Sequence, residues 1–277
     1  MIIDLFTLPF MQMALLSALI LAGIHAYLGF HIVSRGVIFV DLSLAQAAAF
    51  GSIVALVAGV EQHTVGSYFV SLLFTLIGAA IISVARTKDD RIPQEAFIGI
   101  VYAGFSAGVI LLLAHRPEGT EELQHMLAGS LLTVSPVELV KIAVLYLAVG
   151  LFHWVFRRKF FAITQDRKAA KEEGISIGLW DFLFYATFGI VVTSSVEIAG
   201  VLMVFSLLVI PPVIALLITQ NGSLRLALGW VIAIIATFFG LLVSLGLDMP
   251  AGPSIISSLT TILILTVFGR KLVLRKA

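Results

Sequence analysis

Apolar segments of about 20 residues, the length needed to cross a hydrocarbon core of roughly 30 Å as a helix, follow one another almost without pause along this chain. The runs fall near residues 8 to 33, 37 to 59, 64 to 85, 95 to 114 and 136 to 156, then 180 to 196, 198 to 219, 224 to 246 and 253 to 270. A segment in lipid has no water to satisfy its backbone, so it must be a helix or part of a closed barrel. The alternating pattern of barrel strands is absent, and the expected fold is an all-α, polytopic transmembrane helical bundle. Nine spans are expected. Only Glu197 and Gly200 interrupt residues 180 to 219, and one long bent helix there would lower the number to eight.

Composition excludes most alternatives. Of the 277 residues 60% are hydrophobic and 12% charged, where a soluble domain carries about 25% charge. A formal charge of +1, without a basic stretch interleaved with aromatics, argues against nucleic acid as a partner. The chain has no cysteine, hence neither a disulfide framework nor a thiolate metal site. The first run, from Leu8 to Val33, is too long for a cleaved signal peptide and lacks a basic leader, so it is expected to persist as the first span.

Loop charge orients the spans, because short cytoplasmic loops collect Lys and Arg. Arg35, then Arg86, Lys88 and Arg91, then Arg157 to Lys171, Arg225, and Arg270, Lys271, Arg275 and Lys276 follow alternate spans. The other loops hold Glu61 and His63, a stretch from His115 to Thr133 with one Arg and three Glu, and Asp248. Nine spans with the N-terminus outside and the C-terminus in the cytoplasm fit this alternation. The outer loop carries Leu123, Met126 and Leu127 at helical spacing, which suggests a short surface helix. The inner loop, residues 157 to 178, is the most polar part of the chain. It is either a solvated connector or a docking helix for a soluble partner, with Lys168, Ala169, Lys171 and Glu172 on it and Gly174 as its stop.

Chemistry-bearing residues are few. No GxxxxGK[ST] phosphate loop is present, so any ATP is hydrolysed by another chain. Gly104, Ser106 and Gly108 match GxSxG, which would imply a hydrolase, but the motif needs a strand, a turn and a helix and here lies within an apolar span. Gly104 and Gly108 read better as a small-residue surface for close helix packing.

Ionisable groups inside spans are costly and therefore candidates for function. Asp41 is the best, with interfacial pairing to Arg35 as the alternative. Gln46, Ser43 and Ala47 form a polar stripe beside it. Glu197 is either a pathway group or a loop carboxylate in water. His25 and His31 in the first span are either pathway ligands or interhelical hydrogen bonders. Imidazole and carboxylate together suit first-row transition metals without choosing among them. Pro211 and Pro212 should kink the seventh span and free backbone carbonyls.

Several stretches carry a family resemblance over nearly the whole chain. VSRGVIFVDLSLAQAAAFG, residues 33 to 51, resembles the first cytoplasmic turn and second helix of the metal-ion ABC permeases, the membrane subunits of zinc, manganese and iron importers. In that family an Asp is followed by a His in a pattern like GDALSHA; Asp41 matches the Asp, and Gln46 is taken to stand in place of the His. FIGIVYAGFSAGVILL is similar to the fourth helix, and HMLAGSLLTVSPVEL to the outer loop. AAKEEGISIGLWDF is similar to the region that docks on the ATPase, IAGVLMVFSLLVIPPVIALL to a late core helix, and GLLVSLGLDMPAGPSI to the stretch before the last span.

The resemblance implies a single permease domain over residues 1 to 277, without bound cofactor and with a divalent metal ion as cargo, in the bacterial cytoplasmic (inner) membrane. The implied partners are a second permease copy, two cytoplasmic ABC ATPase subunits and an extracytoplasmic metal-binding protein. The implied docking helix lies around Ala169 to Gly178. Two other readings are kept: an importer for a metal chelate or another small solute, favoured by Gln46, and an intramembrane serine hydrolase using Ser106 with a histidine.

Overall fold

The computed structural model describes residues 8–61, 64–84, 93–114, 129 and 131–274. Among them the chain forms ten α-helices and a short 3-10 turn, with no strand. In order these are α1 (Pro9–Arg35), α2 (Val40–Val57), α3 (Val65–Val84), α4 (Gln94–Leu113), the turn Leu131–Thr133, α5 (Pro136–Val155), α6 (Arg157–Gln165), α7 (Arg167–Glu172), α8 (Ile177–Ile218), α9 (Gly222–Leu247) and α10 (Ala251–Leu274). Eight of them are long and apolar enough to cross a membrane, all but α6 and α7. The all-α expectation holds, and the apolar runs coincide with these helices to within a few residues. His63, Arg86, Lys88, Arg91, the outer-loop helix at Leu123, Met126 and Leu127, and Arg275 and Lys276 lie outside the described residues.

The expected sixth and seventh spans both fall in α8. At 42 residues and about 1.5 Å per residue, an unbroken α8 would be roughly twice the thickness of a hydrocarbon core. It is not unbroken: Gly200 has φ 75° and ψ 157°, a region essentially closed to residues with a Cβ. The break lies at Gly200 and not at Glu197, and not at the prolines. Pro211 and Pro212 sit in backbone whose φ and ψ stay helical. Their missing N–H groups still deprive the carbonyls of Leu207 and Leu208 of their usual donors.

The chain packs as two compact units: Met1–Val33, Leu127–Tyr146 and Glu197–Ala277 in one, Ser34–Met126 and Leu147–Val196 in the other. In the first unit Gly29 of α1 lies directly against the Leu208 carbonyl, with the Pro212 ring beside it. The indole N–H of Trp230 donates to the Gly23 carbonyl at 2.9 Å. Gly129 presses its backbone on Ala199 and Gly200, at the break in α8. Gly240 of α9 is seated on the Ile255 backbone of α10. The start of α5 is fixed by a reciprocal capping box: Ser135 Oγ accepts from the Glu138 N–H at 3.2 Å, and the Glu138 carboxylate accepts from the Ser135 N–H at 2.8 Å.

In the second unit α2 is the central helix, flanked by α3 and α4 and buried along most of its length. Gly51 of α2 meets the Ser71 and Val70 backbone of α3, and Gly108 of α4 meets the Phe50 ring. Gly104 faces open space, so only the second glycine of the GxSxG stretch lets a neighbour approach. Thr75 and Thr193 share a buried hydroxyl–hydroxyl bond at 3.0 Å, a polar tie of the kind that joins helices where lipid offers no partner.

Candidate functional site

Asp41, in the first turn of α2, is fully buried. Neither carboxylate oxygen has a hydrogen-bond partner. The pairing with Arg35, weighed on sequence grounds, is not formed. Arg35 turns instead to α6 and α8: Nε donates to Thr164 Oγ1 at 2.9 Å, and Nη1 lies 3.3 Å from Asp181 Oδ1. Its guanidinium is stacked 4.0 Å over the Phe184 ring. Asp41 thus keeps its acceptors unused in the interior, an arrangement that costs folding energy and needs a functional reason.

Gln46 is also buried, but it does not share a face with Asp41. Five positions along a helix turn through about 500°, which leaves the two side chains roughly 140° apart. One turn after Asp41, where GDALSHA has its His, this chain has Ala45. The expected substitution is therefore corrected: the His position is filled by a methyl group, and Gln46 lies beyond it. Ser43, buried with its hydroxyl unpartnered, lies within about 60° of Gln46 and Ala47 around the helix, so these three share a buried face that is separate from that of Asp41.

His25 is fully buried in α1. Its Nδ1 bonds to the Leu21 carbonyl at 2.7 Å within the same helix, which leaves Nε2, unpartnered in the interior, as the nitrogen with a lone pair. The expected interhelical bond is thus an intrahelical one. His31 is buried between the rings of Tyr27 and Phe30, whose centroids lie 5.0 and 5.4 Å away. Glu197 is exposed and helical, just ahead of the Gly200 break. Among the described residues no three His, Cys, Asp or Glu side chains stand together as a metal cage. The structure does not gather the expected candidates into one shell.

Ser106 lies in the middle of the continuous helix α4, without the strand and sharp turn that expose a nucleophile. Its hydroxyl is buried and makes no hydrogen bond. Ser106→Ala is accordingly expected to leave transport unchanged and stability within about 0.5 kcal/mol of the parent, measured by uptake and by thermal melting in detergent.

Residues 157 to 178 include two short helices, α6 and α7. Asp166 accepts from the N–H groups of Lys168 and Ala169 at 2.8 and 3.0 Å and caps α7. At the other end Gly174, at φ 81°, stops it, while the Ile175 N–H reaches back to the Ala170 carbonyl at 3.1 Å. The helix therefore runs from Arg167 to Glu172, and Ile177 and Gly178 already belong to α8; the expected extent of Ala169 to Gly178 is corrected. Ala170 is buried, whereas Lys168, Ala169, Lys171, Glu172 and Gly174 are exposed. Arg167 forms a 2.7 Å ion pair with Asp181.

Asp181 is the residue that sequence reasoning missed. It lies in the sixth apolar run, an ionisable group by the same criterion that selected Asp41, and its side chain is 2% exposed between two arginines. Around it Phe160 stacks on His153 at 4.3 Å, and His153 Nε2 meets the Thr187 hydroxyl at 2.8 Å.

The profile of the ABC 3 transport family matches residues 7–270. The chain belongs to the ABC 3 transport family. Manganese transport system membrane protein MntC of Halalkalibacterium halodurans is 25% identical over 96% of this chain and 89% of that one. Chelated iron transport system membrane protein YfeD of Yersinia pestis is 26% identical over 91% of this chain and 82% of its own length. The fold is that of PsaBC from Streptococcus pneumoniae, solved in complex with a Fab: TM-score 0.80, 22% identity, 96% of this chain and 94% of that one. This ABC 3 transport protein is thus a multi-pass membrane permease with α2, α4 and α8 carrying the stretches singled out above.

Proposed function

We propose that this permease forms the translocation pathway of an ATP-driven importer for a divalent metal ion, manganese or iron, in a bacterial cytoplasmic membrane. The observation that carries the reading is the family match over almost the entire chain, together with the manganese and iron named for its relatives. The chain has no nucleotide-binding loop of its own, so the work comes from cytoplasmic ATPase subunits. A second permease copy and an extracytoplasmic metal-binding protein complete the assembly.

Nine crossings, with the N-terminus outside, follow from counting α8 as two spans about Gly200. Contacts within the second unit support one common inner side. Arg35 after the first span, Ser83 at the end of the third, and the loop after the fifth converge, with Ser83 Oγ 3.5 Å from the Gly178 carbonyl. On that side α7 is held by Ala170 and Arg167 and turns its other residues to solvent, which suits an ATPase groove.

The test is uptake of radioactive manganese or iron into vesicles holding the permease, its ATPase and its binding protein. ATP-dependent accumulation is expected from the complete assembly and none from the permease alone. Uphill movement without an ATPase, or no metal movement by the assembly, defeats the reading. A chelate is the second reading, favoured by the chelated iron named for the Yersinia relative and by Ala45 in place of a His ligand. Uptake that requires a chelator in the outer medium would select it.

Reversing Lys168 and Lys171 together to Glu is expected to weaken ATPase association by at least about tenfold, since charge complementarity at a rim acts mainly through encounter. Co-purification of the two subunits measures it. Retention equal to the parent's would remove α7 as the docking element.

A further inference from the structure

Asp181 is doubly engaged and buried, and no step described so far uses it. Its Oδ1 faces Arg35 Nη1 at 3.3 Å, and its Oδ2 faces Arg167 Nη1 at 2.7 Å. The two partners differ in kind. The Arg35 side chain is 4% exposed and the Arg167 side chain 32% exposed. Arg35 is also bonded to Thr164 Oγ1 and to the Phe160 carbonyl on α6, and lies over the Phe184 ring on α8. The Arg35 arm is therefore enclosed on several sides and cannot part from Asp181 without stranding a buried charge. The Arg167 arm reaches a six-residue helix at the edge, where water can take over the part-exposed guanidinium while Arg35 still holds the buried carboxylate.

We infer that Asp181 is a positioning residue for transport, through which a displacement of α7 is passed to the last turn of α1 and the first turns of α8. The inference rests on the reading of α7 as the ATPase-docking helix. A carboxylate with two oxygens on two arginines serves this role better than a single pair. Pulling α7 moves Arg167, Arg167 draws Asp181 Oδ2, and the enclosed Arg35 follows Oδ1. If α7 swings far enough to open the Arg167 arm, Asp181 keeps Arg35 and no lone buried charge results. The clamp thus has a closed and an open state that an ATPase can select by its contacts with α7.

The experiment uses the purified assembly of permease, ATPase and binding protein in vesicles and reads three quantities: ATPase retained, ATP hydrolysed and metal moved per ATP. Asp181→Asn, which removes the charge and keeps the shape, is expected to retain the ATPase and its hydrolysis while metal moved per ATP falls about tenfold, within the usual range of coupling between sites. Asp181→Glu is expected to recover the ratio to within about threefold of the parent, as a carboxylate that still spans both guanidinium groups. A merely structural role would lower assembly and leave metal per ATP unchanged. A ratio within about twofold of the parent in Asp181→Asn overturns the inference. Should that variant not assemble, Arg167→Gln decides, because it opens only the outer arm: a fall in metal per ATP supports the clamp and an unchanged ratio overturns it. If the parent permease does not retain the ATPase, the docking reading fails and the clamp falls with it. If reversal of Lys168 and Lys171 releases the ATPase while Asp181→Asn keeps full coupling, docking stands and the clamp alone is wrong.

Discussion

Asp41→Asn is expected to leave the folded protein at least as stable as the parent while cutting metal uptake by at least about tenfold. The two halves of this result come from one observation. Both carboxylate oxygens of Asp41 are buried and unpartnered, and an Asp inside a span is costly, up to about 2.5 to 3.5 kcal/mol at a helix centre and less in a first turn such as that of α2. Removing the carboxylate while keeping its volume relieves part of that cost. A structural role would give the reverse, since a residue that holds a fold together cannot be deleted at a gain. Persistence of a buried acceptor without a protein donor is explained if a cation passes it. Thermal melting in detergent and uptake by the complete assembly are to be measured on the same preparation. Normal uptake removes Asp41 from the pathway, and a large loss of stability assigns it to the fold instead.

Gly29→Val is expected to destabilise the first unit by at least about 3 kcal/mol, the upper end of what overpacking a closed contact costs. A Cβ on residue 29 would collide with the Leu208 carbonyl and come within 3.0 Å of the Pro212 ring. Neither obstacle yields: one is helix backbone, the other a ring locked to it. The carbonyl is also a special one. Proline at 212 has removed its intrahelical donor, and in a water-free environment the Gly29 Cα–H is the group that approaches it. A side chain there would separate the helices and leave the acceptor with nothing. Against a total stability of about 5 to 15 kcal/mol, a loss of this size should appear as a marked fall in melting temperature and in yield. A melting temperature like the parent's would mean that α1 and the Leu208 region are not in contact in the membrane. Gly23, with open space around its Cβ position, supplies the control: Gly23→Ala should be tolerated.

The hydropathy of the chain was enough to read its helices, because lipid imposes one answer on a run of apolar residues whatever its neighbours are. The helices ending at Arg35, Val84 and Val155 were readable in this way to within two residues, as were the stop at Gly174 and the presence of a carboxylate within a span at Asp41. Local chemistry also marked Glu197 and Gly200 as the interruptions of residues 180 to 219, though only the backbone at Gly200 showed that the helix breaks at the glycine and not at Glu197. A proline removes a donor wherever it stands, but whether the helix bends depends on what packs against the freed carbonyl.

Pairing was beyond the reach of such reading. Arg35 has carboxylates both a few residues away, at Asp41, and far along the chain, at Asp181, and sequence distance favours the wrong one. Packing brings Thr164, Phe184 and Asp181 around the guanidinium and leaves Asp41 alone on α2. The hydrophobic pattern dictates that each segment is a helix, since that requirement is satisfied inside the segment. The choice of which polar groups meet is made between segments, by glycine-sized contacts such as Gly29 on Leu208 and Gly129 on Ala199, and those exist only once the chain has folded.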